Sequence, residues 1–390
     1  MTRETPKILV VDDVPQNVRL LEMNLKSEGY NVISAYNGEE ALVKVYSEQP
    51  ELILLDIMMP VMDGHEVCRS IRQDKNISWI PIIMLTAFES GIEKKIESLN
   101  AGADDFLKKP FDRYELLARV RSLLRIKQLH DSLAMANQRL EEELVLAKEV
   151  QQALLPHDYP KIVDLGFSHR YIPILAVGGD FFDIHQLSSS SASIFLCDVM
   201  GHGPQAAMIT GIIKILLNQL SPNASGPDDL LYQMNDRFHS LISGSGLPIF
   251  ITAFSLTIDV ANNTIKYSNA GHPTPFIIRN HRNLLDELAS NPGPALGMIP
   301  DAIYETYEQT IEIDDMVFLF TDGLLELTNS EYNQFGAAEI KTAIVNNMHL
   351  SPQNFVESIV SAALAFSEGL YIEDDITLLA FSYQHRNDSS

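Results

Sequence analysis

Along residues 7–121, short apolar runs alternate with amphipathic stretches. KILVVDD, LILLD, IPIIMLTA and ADDFLKKPF hold or border unbroken apolar runs, the pattern of buried strands. Between them, NVRLLEMNLKSEG and GEEALVKVYSEQ repeat apolar residues at spacings of three and four, which predicts helices. Strand and helix in repetition predict a parallel sheet covered on both faces. Such sheets bind ligands beyond the carboxyl ends of their strands. That rule selects Asp12 and Asp13 after ILVV, Asp56 after LILL, Thr86 after IIML and Lys109 after DDFLK.

The pattern changes at Arg113. From there to Leu155 the chain has no glycine and no proline, enough for a helix of roughly 60 Å at about 1.5 Å per residue. Apolar residues recur by sevens at Ile126, Leu133, Leu140, Ala147 and Leu154, with Leu129, Ala136 and Val150 forming a second seam interrupted at Glu143. A parallel two-stranded coiled coil, and so a homodimer, is the expectation. The alternative is an amphipathic helix folded back on its own domains.

Residues 160–385 read differently again. SIFLCDV, FITAFSLTID, TIKYSNAG, MVFLFTDG and ITLLAFSY are strand-like, and helical patterns lie around 204–221 and 227–243. An α+β domain with stacked antiparallel sheets follows. SSSSAS at 188–193 reads as a hairpin loop, and Ser243–Gly246 as a link between helix and strand. Four acidic motifs stand where apolar strands begin or end: VGGDFFD, LCDVMGHG, FTDGLLEL and EDDIT. Converging carboxylates are costly unless something offsets their charge. Paired divalent cations would do so, and all-oxygen ligation favours Mg²⁺ or Mn²⁺ over zinc.

Composition narrows the function. The 390 residues suggest about 2.6 domains at roughly 150 residues each. The net charge of −24 argues against nucleic acid and anionic membrane surfaces as partners. It is uneven: residues 1–125 carry 16 Lys and Arg against 20 Asp and Glu (−4), and residues 126–390 carry 12 against 32 (−20). Two cysteines, Cys68 and Cys197, lie far apart in apolar surroundings, which argues against a disulfide framework. No run approaches about 18 apolar residues, so a cytoplasmic protein is expected.

In the first part, three carboxylates at one sheet edge suit a Mg²⁺ ion. A nearby ammonium and hydroxyl suit an incoming phosphoryl group, with Asp56 its nucleophile. The order DD, D, T, KP resembles the response-regulator receiver domain over nearly all of residues 6–125, a flavodoxin-like α/β fold with a doubly wound, five-stranded parallel sheet. The resemblance implies that Asp12, Asp13, Asp56 and the Met58 carbonyl hold Mg²⁺, and that Asp56 accepts phosphate from a sensor histidine kinase. It further implies that Thr86 senses the phosphoryl group, Lys109 pairs with it and Phe106 changes rotamer.

The acidic motifs of the second part, with AKEVQQALLP, FITAF, NAGHP and PALGM, resemble the SpoIIE/RsbU-like branch of the PPM metal-dependent serine/threonine phosphatases over residues 147–383. The resemblance implies two Mn²⁺ or Mg²⁺ ions held by Asp180, Asp198, the Val199 carbonyl, Asp322 and Asp374, with Asp198 bridging. Asp375 and Asp183 are less certain ligands, and His202 and His272 are candidate general acids. The implied reaction is hydrolysis of a phosphoserine or phosphothreonine protein, an anti-sigma-factor antagonist by the same resemblance. The alternative is an inactive phosphatase-fold adaptor that binds a sigma or anti-sigma factor; such an adaptor is expected to lose ligands, and here all four acids are present. The expected division is a receiver at 1–125, a helical coiled-coil linker at 126–155 and a phosphatase domain at 156–390.

Overall fold

The computed structural model describes residues 5–74, 76–86, 101–156, 158–244, 246, 248–369 and 372–384. The chain divides into two compact units, Met1–Leu140 and Glu141–Ser390.

The first unit runs β1 (Lys7–Val11), α1 (Pro15–Lys26), β2 (Asn31–Ala35), α2 (Gly38–Glu48), β3 (Leu52–Asp56), α3 (Gly64–Gln73), β4 (Ile82–Thr86) and β5 (Asp105–Lys108). The strands form one parallel sheet in the order β2-β1-β3-β4-β5. Alternate side chains feed the two faces: Leu9, Val11, Ile53 and Leu55 join the core under α2 and α3, and Ile8, Val10, Leu52 and Leu54 join Leu21, Leu25 and Leu117 on the other side. Local chemistry sets the helix starts. Asn37 caps α2 by accepting from the Glu40 amide, and Asp63 and Glu66 form a reciprocal capping box on α3.

One helix, α4 (Arg113–Leu154), matches the interval free of glycine and proline. Its first part belongs to the first unit and its last turns to the second. Leu129, Leu133, Leu140 and Val150 each leave more than half of their surface exposed and form an uncovered apolar stripe, whereas Leu154, the last seam position, packs into the core of the second unit instead.

The second unit comprises β6 (Leu165–Ile172), β7 (Asp180–Gln186), β8 (Ser191–Val199), α5 (Pro204–Leu220), α6 (Pro227–Ile242), β9 (Ile251–Asp259), β10 (Thr264–Ala270), β11 (Phe276–Arg279), β12 (Leu284–Glu287), β13 (Tyr307–Thr310), β14 (Met316–Phe320), α7 (Asp322–Glu326), α8 (Gly336–Asn347), α9 (Pro352–Phe366) and β15 (Ile376–Tyr383). Two five-stranded antiparallel sheets result, in the orders β13-β10-β9-β8-β7 and β12-β11-β14-β15-β6. Their facing sides share a core of Phe182, Ile194, Leu196, Phe254, Val317, Leu319 and Phe381. The outer side of the first sheet packs Phe181, Phe195 and Cys197 on α5 and α6, and that of the second packs Phe318, Phe320 and Leu378 on α8 and α9. The result is a helix, sheet, sheet, helix sandwich built on period-two alternation. The β7–β8 turn is Leu187–Ser190, where the Ser188 hydroxyl meets that of Ser191, and the second half of SSSSAS, Ser191–Ser193, already belongs to β8. The link expected at Ser243–Gly246 lies partly outside the described residues.

Candidate functional site

In the first unit β1, β3, β4 and β5 end side by side, so their last residues and the turns after them meet at one edge. Asp12, Asp13 and Asp56 each offer a carboxylate oxygen within 4.8 Å of the others, the arrangement a hard divalent cation requires. Asp12 is fully buried and fixed: its carboxylate accepts from the Val14 amide at 2.9 Å and from Asn17 Nδ2 at 3.0 Å. Lys109 Nζ donates to Asp12 Oδ2 at 2.6 Å and also to Asp56. Burial alone would lower the lysine pKa, but the hydrogen bonds and charges of Asp12 and Asp56 outweigh it and raise it. Burial raises the Asp56 pKa, with the Lys109 hydrogen bond opposing. The Met58 amide donates to Asp56 Oδ2 at 3.1 Å. Thr86 is buried at the end of β4, one strand from Asp56, and its carbonyl accepts from the Lys109 amide at 2.7 Å. Phe106 on β5 packs partly buried against the core under α2 and α3. The Lys109–Pro110 bond is cis.

In the second unit the acids come from both sheets. Asp180 and Asp198 are directly opposed in the β7–β8 ladder. Asp322 follows β14, and Asp374 and Asp375 precede β15; these two strands pair with Phe320 opposite Leu378, which puts the three acids at one end. Thr321 and Thr377 join the sheets by donating their hydroxyls to Asp180 Oδ2 at 2.7 and 2.6 Å. Neither threonine is a candidate from spacing alone, although each stands inside an acidic motif, Thr321 in FTDGLLEL and Thr377 in EDDIT. Asp375, 1 % exposed, turns its carboxylate to the backbone, accepting from Ile174 N at 2.8 Å and Gly179 N at 2.6 Å. A Cβ on Gly178 would lie 2.1 Å from Asp375 Oδ2, and one on Gly323 would lie 2.0 Å from the Asp375 carbonyl oxygen. The glycines of GGD and TDG are therefore what allow the two loops to close on Asp375.

Burial and mutual repulsion dominate the electrostatics of these carboxylates. Asp180 is held well above the usual carboxylate range, first by burial and then by Asp198. Asp198 is pushed up to about 8, by burial and by Asp322, Asp374 and Asp375. Asp322 is raised by burial, Asp374 and Glu326, and its Oδ1 is buried without a hydrogen-bond partner. A buried carboxylate oxygen without a donor, among acidic neighbours, is what a metal ligand looks like before its ion is added. Asp374 lies beside this group, its Oδ1 accepting from the Asp375 amide at 2.8 Å. Val199, at the end of β8, is buried. Among the described residues only Asp12, Asp13 and Asp56 bring three ligand oxygens within 4.8 Å of one another; in the second unit the all-carboxylate donor type and the unpartnered Asp322 Oδ1 are what suit divalent cations.

Asp183 belongs elsewhere. It pairs with Lys214 Nζ at 2.6 Å and His185 Nε2 at 2.9 Å. Those hydrogen bonds outweigh burial and hold its pKa below the usual range, so it fastens α5 to β7. His202 is exposed in the turn before α5. His272 is buried, with Nδ1 paired to the Thr252 hydroxyl at 2.9 Å and its backbone clamped by both amide atoms of Asn269. NAGHP thus works as a backbone clasp. Burial lowers the His272 pKa to about 3. The unfolded histidine titrates near 6.5, so between these values only the unfolded chain takes up this proton. Acidification through that window should therefore remove up to about 5 kcal/mol of stability. His272→Gln should flatten the fall of the thermal midpoint between about pH 6.5 and 4; an equally steep fall would assign the acid sensitivity to other groups.

These two sites mark a receiver-type domain coupled in one chain to a phosphatase-fold domain. Residues 8–121 match the response regulator receiver domain, and residues 188–384, half of the chain, match Stage II sporulation protein E (SpoIIE). The chain belongs to the SpoIIE family and carries a receiver domain. It is 41% identical over 174 residues to the alkaline phosphatase synthesis transcriptional regulatory protein PhoP of Bacillus subtilis, a match over 41% of this chain and 71% of that protein. It is 48% identical over 127 residues to the response regulator PleD of Caulobacter vibrioides, over 33% of this chain but only 28% of that protein. In structure it is similar to the SiaA-PP2C domain of Pseudomonas aeruginosa, with a TM-score of 0.57 at 19% identity over 64% of this chain and all of that one. The RsbU and RsbW domains of a Mycobacterium tuberculosis protein align with a TM-score of 0.51 at 20% identity, over 60% of this chain and 64% of that one. Receiver and PPM domains generally use divalent metals; a receiver implies a phosphodonor such as a histidine kinase, and a PPM domain implies a phosphoprotein substrate. Among the described residues, no helix is long and apolar enough to cross a membrane.

Proposed function

We propose that the chain is an active, metal-dependent protein serine/threonine phosphatase controlled by phosphorylation of Asp56. The observation that carries this reading is the convergence of Asp180, Asp198, Asp322 and Asp374, with Asp322 Oδ1 buried and unpartnered and Asp198 pushed up to about 8. Bound cations would offset the charge of such a cluster and let its carboxylates ionise. Asp180, Asp198, Asp322, Asp374 and the Val199 carbonyl would hold two Mn²⁺ or Mg²⁺ ions. Bound there, the ions would supply an activated water for in-line attack on phosphorus and offset charge on the phosphoryl oxygens. Thr321 and Thr377 keep Asp180 oriented, and Asp375 fixes the GGD loop. The substrate, by family likeness, is a phosphorylated anti-sigma-factor antagonist. An adaptor without catalysis is the competing reading, and the complete acidic set weighs against it.

In the receiver, Asp12 and Asp13 with Asp56 would hold Mg²⁺, Asp56 would take the phosphoryl group from a sensor histidine kinase, and Lys109 would pair with it. The exposed heptad stripe of α4 supports a homodimer through the linker. The test is manganese-dependent phosphate release from a phosphoserine protein, with and without beryllofluoride on Asp56. Release that changes with beryllofluoride is expected; none in either state would favour the adaptor.

Asp56→Asn separates signal from catalysis. Lys109 keeps Asp12 as a counter-charge at 2.6 Å, so the substitution leaves no unpaired buried ammonium. The fold and basal phosphatase rate should persist while the response to beryllofluoride disappears. A variant that still responds would contradict the role of Asp56.

A further inference from the structure

The last turn of α4 carries a buried amide that docking does not require. Leu154 and Leu155 already anchor this end of the helix in the core beneath α5 and α6. Gln151, 5 % exposed, faces Gly178 with both ends of its amide: Nε2 donates to the Gly178 carbonyl at 2.6 Å, and Oε1 accepts the Gly178 N–H at 3.1 Å. Nε2 also lies 3.4 Å from Thr210 Oγ1 on α5. Burying an amide is costly unless it is paired, and this one is paired as a strand neighbour would be. Gly178 needs such a partner because it lies two residues before the β7–β8 ladder begins. From the other side, Asp375 takes the N–H groups of Ile174 and Gly179. The segment from Ile174 to Gly179 is therefore held between Gln151 and Asp375, and Asp180 follows it directly.

We infer that Gln151 is a positioning residue for the metal position at Asp180, acting through the Gly178 backbone. The inference rests on the metal assignment proposed above and deepens it. Gln151 touches no reacting atom. It fixes where the GGD segment enters β7, and a displacement of about 1 Å at such a ligand is enough to cost binding and rate. Because Gln151 is part of α4, a shift of that helical turn against the sandwich acts on the same hydrogen bonds.

The test uses the full chain with Gln151→Met, which fills the site without hydrogen bonds, and Gln151→Glu, which keeps an acceptor for the Gly178 N–H but loses the donor. Two quantities are read: the Mn²⁺ dissociation constant by calorimetry, and amide exchange of residues 174–183 in the metal-free protein. Gln151→Met should raise the dissociation constant by about 10- to 100-fold, the range for residues that orient metal ligands. It should also speed exchange in 174–183 while the strands β8, β9, β14 and β15 exchange as in wild type; Gln151→Glu should fall between. Wild-type Mn²⁺ affinity in a folded Gln151→Met protein overturns the inference. If wild type itself binds no Mn²⁺, the functional reading falls on its own. Exchange then decides: wild-type rates in 174–183 overturn the clamp, and selective acceleration upholds it.

Discussion

Asp322→Asn should lower manganese-dependent phosphate release by about 100- to 10,000-fold without unfolding the protein. A metal site contributes several kcal/mol to offsetting transition-state charge, and each 1.36 kcal/mol or so is a factor of ten in rate. In the metal-free chain the substitution works in the opposite direction. Asp322 is raised by burial and by the charges of Asp374 and Glu326, and its Oδ1 is buried without a donor. Neutralising it removes repulsion, so the metal-free thermal midpoint should equal or exceed that of wild type. Added Mn²⁺ stabilises a folded protein in proportion to the logarithm of its concentration over the dissociation constant, and that increment should shrink in the variant. Loss of activity with a preserved metal-free midpoint and a smaller manganese increment is the signature of a lost ligand. A variant as active as wild type would refute the assignment.

The site was legible where chemistry coincides with a strand end. Asp12, Asp56, Asp180, Asp198 and Asp322 each lie where an apolar run starts or stops, so hydrophobic pattern and acidic residue point to the same place. What could not be read was the second layer. Thr321, Thr377 and Gln151 matter for the partner each finds, and the distance from Gln151 to Gly178 or from Thr377 to Asp180 is set by tertiary packing rather than spacing. Asp375 and Asp183 show the same limit. Both are buried acids inside a motif, yet one serves backbone amides and the other a lysine and a histidine. In the fold, β8, β9, β10, β14 and β15 follow long alternating or apolar runs. The edge strands β12 and β13 are short and mostly exposed, so they leave no pattern to detect. The parallel sheet hides β2 for a similar reason: NVISA has only one fully buried residue.

The charge division takes on meaning with the site in place. Residues 126–390 carry −20, of which the metal ligands and Asp375 account for only a few. Two divalent ions would bring that figure to about −16, so the domain stays acidic when loaded. A phosphoprotein substrate brings further negative charge. Binding should therefore depend on the ions for the phosphate, and on apolar contact or a basic patch of the partner for the rest.

Replacing Leu133 and Leu140 together with glutamine should convert a dimer to a monomer. The two leucines are seven residues apart on α4 and leave 61% and 55% of their surfaces exposed, with Leu129 and Val150 similarly bare. In a two-stranded coiled coil the pair contributes four side chains, each stabilising by about 1.5–3 kcal/mol when buried. Losing about 6–12 kcal/mol raises the dimer dissociation constant by four or more orders of magnitude. Glutamine is nearly as good a helix former as leucine, so α4 itself should persist and the circular dichroism should change little. Sedimentation reads the outcome directly. A halved mass with preserved helicity supports a seam between two copies; an unchanged monomeric mass with a lowered thermal midpoint would show that the stripe packs within one chain.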